Sequence, residues 1–413
     1  MSASNQRVNG TRTLQQREWL LYLLSAATFL IFFQAYMVAP LIPYLSQVFQ
    51  VSNQAIGLVI PAYMIPYGIG SLVYGVLSDR FGRKPVMLFS LVAMTGLVML
   101  TATAQSAEQL MGWRLLTGIS ASGVIPQTLT LIGELFPYAE RGRPLGWIFG
   151  AMAGGMALGS VFGAVLVSSL TWQGLFVVVG GLSAIVLILI WKQRHLLNNK
   201  ATTTAIHLSA LFSGYKSLLS TKRGQHTYGY VLLNGLFHSG VFTWLGLYFT
   251  QRYGFNESQI GLALLGYGIP GTFLGPIIGR AADRWGRNRL LPIGFAIAAL
   301  ASATLICQIP PLLATLAVTA LSLGYDLTQP LLAGIVTDLS TERQGQAMGL
   351  NVFTLFIGFG VGGFLFGELL RWDFVAALSV FTGVMLITAL SAIHLFRRET
   401  TNAHRPPQID SAS

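Results

Sequence analysis

Charge is what this chain has least of. Only 9% of its 413 residues are Asp, Glu, Lys or Arg, while 53% are hydrophobic. A soluble globular chain carries roughly 25% charged residues, which keep its surface in water. So small a supply cannot solvate a surface of this size, and much of that surface must face lipid. Cysteine is almost absent as well. Cys307 stands alone in an apolar run, which excludes an internal disulfide and a cysteine metal cluster and leaves it as a packing residue. His-Glu-x-x-His, Gly-x-Ser-x-Gly and the Gly-x-x-x-x-Gly-Lys-Ser/Thr phosphate loop do not occur, and no acids cluster within the apolar runs. Metal-assisted hydrolysis, serine-hydrolase chemistry and direct ATP drive therefore lack their signatures. The expectation is a protein that is not an enzyme and has no metal or cofactor.

Long apolar runs are what the chain has in excess. A helix crossing the hydrocarbon core needs about 20 mostly apolar residues. Such runs occur near 19–43, 55–78, 85–104, 109–133, 144–168, 173–191, 226–250, 258–281, 290–309, 312–337, 346–367 and 374–396. They are continuous rather than alternating, so membrane strands are excluded. The reading is an all-α membrane protein with twelve transmembrane helices. The polar residues 1–18 precede a first run long enough to span, which argues against a cleaved signal peptide.

The net charge of +11 would suit a nucleic-acid binder if it sat on one domain, but it is scattered in short clusters between the runs. With the N-terminus placed in the cytoplasm, 22 of the 25 Lys and Arg residues fall on that side; Arg114, Arg252 and Arg371 fall outside. This is the positive-inside pattern, with an even number of crossings and both termini cytoplasmic. No nucleic-acid partner is expected. One long loop remains, where Leu208, Leu211, Phe212, Tyr215, Leu218 and Leu219 recur at helical spacing among lysines. It reads as an amphipathic helix on the interface. The organisation expected is a tail at 1–18, a six-helix bundle at 19–194, a linker at 195–225, a second bundle at 226–397 and a tail at 398–413.

The two halves share a sequence. Gly75-Val-Leu-Ser-Asp79-Arg80-Phe-Gly82-Arg83-Lys84 follows span two, and Gly279-Arg-Ala-Ala-Asp283-Arg284-Trp-Gly286-Arg287-Asn288 follows span eight, 204 residues later. The same offset pairs Tyr63 with Tyr267, Pro66 with Pro270 and Glu134 with Asp338. Gly75 and Gly279 permit close helix packing, and Gly82 and Gly286 a tight turn. Asp79 and Asp283 sit where a carboxylate caps a helix or meets an arginine. Arg83 and Arg287, beside Arg80 and Arg284 of the same loops, can reach acids such as Glu134 and Asp338. A plainer alternative is that these charges only set topology, but aspartate adds nothing to a positive-inside signal.

This doubled Gly-x-x-x-Asp-Arg-x-Gly-Arg loop resembles the major facilitator superfamily, over all twelve spans. The resemblance implies two pseudo-symmetric six-helix bundles, alternating access, a solute site between the halves, and loop contacts that close the cytoplasmic side in the outward-facing state. Trp113-Arg114-Leu-Leu-Thr-Gly118, the following Ala121 to Gln127, and the glycines Gly155, Gly159 and Gly163 of span five resemble the twelve-helix drug/proton antiporter branch. The chain departs from that branch at Ser160, where proline is expected, and in having no acid in span one.

Ionisable residues inside a membrane are functional candidates by default. Three stand out: Asp326 midway along span ten, His238 midway along span seven and Arg114 in span four. The resembled fold lines its cavity with spans one, four, seven and ten. The cavity expected also offers Gln34, Tyr36, Gln127, Asn234, Trp244, Tyr267, Tyr325, Gln329 and Asn351 among aliphatics, an amphiphilic wall. The three ionisable residues also have structural readings: Asp326 as helix-to-helix glue, His238 as a histidine satisfied by a local hydrogen bond, and Arg114 as a topology signal or a helix-packing residue. The function expected is proton-coupled efflux of hydrophobic or amphiphilic, even lipid-like, compounds from a bacterial inner membrane by a monomer. Symport or facilitated diffusion of a small metabolite or sugar, and lipid or glycolipid transport, remain alternatives.

Overall fold

The computed structural model describes the chain except residues 1, 136–141, 196, 198–207, 272–273, 275–276, 279–284, 338, 340–343, 398 and 400–413. Side chains are also not described at 2–14, 75–76, 79–80, 130, 133–134, 142–143, 145–146, 208–213, 337 and 344–345. Among the described residues every regular element is helical.

Span one begins as α1 (Ser2–Tyr36), breaks into a 3-10 turn at Ala39–Leu41 and resumes as α2 (Ile42–Phe49). Pro40 and Pro43 cause the break, since neither offers an N–H to the preceding turn. Span two is α3 (Asn53–Gly57) and α4 (Pro61–Phe81); span three is α5 (Arg83–Thr101). Span four is split into α6 (Ala107–Ala121) and α7 (Ile125–Leu135), just before Pro126. Spans five and six run together as α8 (Gly142–Lys192), interrupted at Thr171, where φ is 61°. After α9 (Leu208–Ser220) come α10 (Lys222–Tyr253), α11 (Glu257–Leu264), α12 (Arg287–Ile306), α13 (Pro311–Thr337), α14 (Gln344–Leu369) and α15 (Phe374–Leu395).

Eight apolar stretches qualify as membrane spans on length and composition alone. One of them, Trp147–Lys192, has 46 residues. It would be about 70 Å long as a single helix, twice the hydrocarbon core, so its bend at Thr171 separates two crossings. Span four, with Arg114 and Gln127, and span seven, with Asn234 and His238, are too polar to be among the eight, and span eight is described only in part. The side chains turned outward are those of a lipid-facing surface, with Phe89, Leu262, Leu300 and Ile387 each more than half exposed.

The duplication is visible in the backbone. Gln50 and Gly254, 204 residues apart, are both left-handed, with φ of 54° and 68°. Each is followed by a capped helix, where Ser52 accepts from the Ala55 N–H and Asn256 from the Gln259 N–H. At the loops between spans two and three and spans eight and nine, Gly82 (φ 87°, ψ 155°) and Gly286 (φ 81°, ψ 151°) make the same turn. Only glycine enters that region without steric cost.

Within the first half, α1 lies along α8. Gly155, Gly159 and Gly163 meet the backbone of Phe29, Phe33 and Met37, so two four-residue ladders interlock and a Cβ at any of the three would strike a carbonyl. The second half repeats the device, with Gly358 and Gly362 of α14 against the carbonyls of Leu232 and Leu236 on α10. This is small-residue packing, the main attraction between helices in lipid. Ser160 stands where the resemblance expects proline, and its Oγ donates to the Met156 carbonyl at 3.0 Å and reaches the Tyr36 carbonyl at 3.4 Å. Gly159→Ala is expected to lose about 1–3 kcal/mol by overpacking. Gly154→Ala, whose Cβ would meet only the Phe29 ring at 3.8 Å, should be neutral or slightly stabilising. Thermal ramps of the detergent-solubilised variants, read by size exclusion, compare the two directly.

Between the halves, α4 packs on α14 and α8 on α11. Tyr67 stacks on Phe356 with centroids 4.0 Å apart, and Gly268 abuts Ala157. In the linker, Leu218 of α9 packs against Tyr228, Ala347 and Leu350 of the second half.

Candidate functional site

A cavity of about 1150 Å³ lies between the halves. The first half contributes Tyr22, Ser25 and Phe29 of α1, part of α7 and the first third of α8. The second half contributes Tyr267, Gly268, Gly271, α13 from Ser322 to Ala333 and α14 from Met348 to Phe356. These are the helix portions nearest the end that carries the termini, and Tyr22 and Trp147, set edge-on at 5.3 Å, frame the mouth. At the opposite end the halves are in contact: Trp244 fills the space beside Gly57 and Gly367, Gly246 abuts Pro40, and Tyr36 meets Phe242 at 5.5 Å. The described residues thus form a vestibule open toward the termini and shut at the far end.

Asp326 is the one carboxylate among the described residues that line the cavity. Ser322, one turn earlier on α13, donates its hydroxyl to Asp326 Oδ2 at 3.1 Å. Gly271 lies directly against the carboxylate, since a Cβ there would sit 2.7 Å from Oδ1. Any larger residue at 271 would displace the acid. Tyr267, Tyr325, Gln329 and Asn351 share the wall. Gln329 is also tied down, accepting through Oε1 from Asn234 Nδ2 at 3.0 Å.

The other polar candidates lie off the wall, and each has a packing reason. His238 sits one layer behind, its Nδ1 3.4 Å from the Tyr267 hydroxyl and its ring edge-on to Tyr325 at 4.7 Å, while Nε2 finds no described partner. Asn234 is enclosed by Gln329 and by Thr328, which donates to its Oδ1 at 3.1 Å. Gln127 joins spans two and four by accepting from Ser78 and donating to the Tyr74 carbonyl. Trp244 donates to the Gly363 carbonyl at 2.9 Å, and Tyr36 is buried at the closed end between Phe242 and Phe359.

Arg114 differs most from the expectation. It is fully buried, and its guanidinium donates to the Gln34 carbonyl (3.0 Å), the Gln34 amide oxygen (2.6 Å) and the Ala35 carbonyl (3.0 Å) while covering the Tyr63 ring at 4.3 Å. The Met37 N–H takes the Phe33 carbonyl, so the next two carbonyls at the broken end of α1 go to arginine. A cation there meets the negative end of the helix dipole. Arg114 therefore caps a helix and does not face the cavity.

In the loops, Gly82 and Gly286 adopt the expected turn, and the Arg287 guanidinium lies over Gly334 on span ten, one turn before Asp338. Gly279, Asp283, Arg284 and Asp338 lie outside the described residues, as do the side chains of Asp79, Arg80 and Glu134 and the surroundings of Gly75. The sequence reading missed Ser322 and Gly271. Ser322 was findable as the residue one turn from the acid on the same helix face; Gly271 was not, because only the packing of α13 against span eight brings it there.

Two pseudo-symmetric helical halves around a central vestibule define a membrane transporter rather than an enzyme. The Major Facilitator Superfamily model matches residues 24–256 and 227–412, and the chain belongs to that superfamily. It is 26% identical over 387 residues to the uncharacterized MFS-type transporter YceJ of Bacillus subtilis, covering 91% of this chain and 95% of that one. To Multidrug resistance protein 1 of B. subtilis it is 24% identical, covering 92% and 98%. To the 4-hydroxybenzoate transporter PcaK of Acinetobacter baylyi it is 26% identical, covering 86% and 85%. Its fold is that of the human organic anion transporter MFSD10 (TM-score 0.71, 16% identity, 91% of this chain and 99% of that one).

Proposed function

We propose that the chain exports hydrophobic or amphiphilic cations in exchange for protons across a bacterial inner membrane, with both termini cytoplasmic. The observation that carries this reading is one carboxylate, Asp326, set in a wall that is otherwise mostly aromatic and aliphatic. A lipophilic cation gains burial along Phe29, Trp147 and Phe356, attraction to the aromatic faces, and a counter-ion in Asp326. A proton and the cation then compete for the same carboxylate. Mutual exclusion at one site exposed alternately to the two sides is sufficient for antiport. The similarity to a multidrug resistance protein and the 22 to 3 partition of basic residues support the class and the orientation. In this reading the doubled loops, with Asp79, Arg80, Arg83 and Glu134 in one half and Asp283, Arg284, Arg287 and Asp338 in the other, close the mouth in the opposite state.

Transport of a small organic acid, suggested by the relative named for 4-hydroxybenzoate, fits this wall less well. Arg114 is committed to α1, no cation is among the described lining residues, and an anion there would face Asp326. Proteoliposomes with an imposed pH gradient decide between the two. Efflux of a lipophilic cationic dye should accelerate with an inward proton gradient and should itself move protons. Dye movement indifferent to the gradient, or gradient-driven uptake of benzoate instead, would overturn the proposal.

A further inference from the structure

A second pocket, of about 440 Å³, lies at the end opposite the termini. Its wall is shared between the halves: Asn53 and Gln54 come from α3, while Arg252 closes α10 and Trp372, Asp373 and Phe374 lead into α15. Two of its polar atoms are buried without any hydrogen-bond partner, Arg252 Nη2 and Asn53 Oδ1. One is a charged donor and the other an acceptor, and both belong to residues of the same pocket. Asp373 spends Oδ1 on the Ala376 N–H as the cap of α15, yet its charge stays beside the pocket, and among the described residues it makes no ion pair with Arg252. Trp372 is 75% exposed at the rim, next to Phe374.

Unpaired buried donors and acceptors carry a cost that a partner removes. Water can supply one, but a water occupies only about 30 Å³, and this volume falls in the range of small-molecule sites. We propose that this pocket binds a small zwitterion. Its carboxylate pairs with Arg252, its ammonium group faces Asn53 Oδ1 and the Asp373 charge, and its apolar body lies on Trp372 and Phe374. Because the wall is built from both halves, the pocket exists only while they are apposed at this end. A ligand in it therefore holds the far end shut and favours the vestibule that opens toward the termini, by simple linkage. The site is separate from the cavity of Asp326 and does not depend on what that cavity carries.

Equilibrium binding of radiolabelled phenylalanine to the full chain in nanodiscs tests this, with phenylacetate and phenethylamine as competitors that each lack one charge. Saturable binding is expected, with each competitor weaker by roughly tenfold or more, Arg252→Gln weakening phenylalanine by a similar factor and Asn53→Ala by less. Asn53→Ala also stands as an independent probe if Arg252→Gln does not fold. In a Cys307→Ser background, spin labels at Val48 and Arg371, exposed on opposite halves of this end, should shift toward the shorter distance when phenylalanine is added. The proposal is overturned if phenylalanine does not saturate below about 50 mM, a limit of weak binding. It is equally overturned if binding survives both pocket substitutions or if the label distances ignore the ligand.

Discussion

Asp326→Asn should abolish the response of dye efflux to a pH gradient while leaving the protein folded. The side chain keeps its shape and can still accept from Ser322, so the wall is preserved and only the exchangeable charge is lost. A hydrogen-bonded or paired charge contributes about 1.5–3 kcal/mol, so cationic dye affinity should fall roughly ten- to hundredfold. The pH dependence gives the sharper test. In the native chain protons and dye compete, so dye affinity should weaken as pH falls through the titration of Asp326 and recover as pH rises. In Asp326→Asn no proton competes and the affinity should be flat over the same range. Fluorescence titration of a dye at several pH values measures both. A gradient response that survives the substitution would remove Asp326 from the coupling. Replacing Gly271 by alanine should reproduce part of the defect without touching a charge, because its Cβ would press on the carboxylate.

Arg114→Leu should destabilise the chain by about 3 kcal/mol, the largest loss expected of a single buried polar substitution here. Two backbone carbonyls and one amide oxygen lose their donor at the end of α1, where Gln34 and Ala35 are both buried. Removing a buried charge also relieves its desolvation, which keeps the net loss below the sum of three charged hydrogen bonds. Arg114→Lys should not restore stability. The two terminal nitrogens of the guanidinium hold separate residues, and a lysine offers one point charge on a flexible stem. The melting temperature of each purified variant checks this. If Arg114 instead served the solute, both substitutions would depress flux with the melting temperature unchanged.

The cavity and the cap show how differently two intramembrane charges can behave. Both Asp326 and Arg114 stand out in the sequence as ionisable residues in apolar runs, and both lie in segments that the family resemblance assigns to the cavity. Asp326 is on the wall because α13 stays helical through Leu327, presenting 322, 325, 326 and 329 to the vestibule on one face. Arg114 is off it because α1 breaks before Pro40, leaving carbonyls that attract a cation more strongly than the open space does.

Period and chemistry along the chain were enough to establish the twelve crossings, the duplicated halves and the glycine turns at 82 and 286. These depend on local quantities: the length of an apolar run, the fixed offset of 204 residues, and the steric freedom of glycine at positive φ. The interlocked glycines of α8 were legible as a motif, but their partners Phe29, Phe33 and Met37 were not, because nothing in α1 marks which face it turns. Only the tertiary structure could separate wall from interior. It set His238 one layer behind Tyr267, enclosed Gln34, Asn234 and Gln127 in bridges between helices, and paired Gly271 with Asp326. Those outcomes depend on how helices rotate and where they break. That is settled by contacts between residues far apart in the chain, and hydropathy, which records only a preference for lipid over water, carries no trace of it.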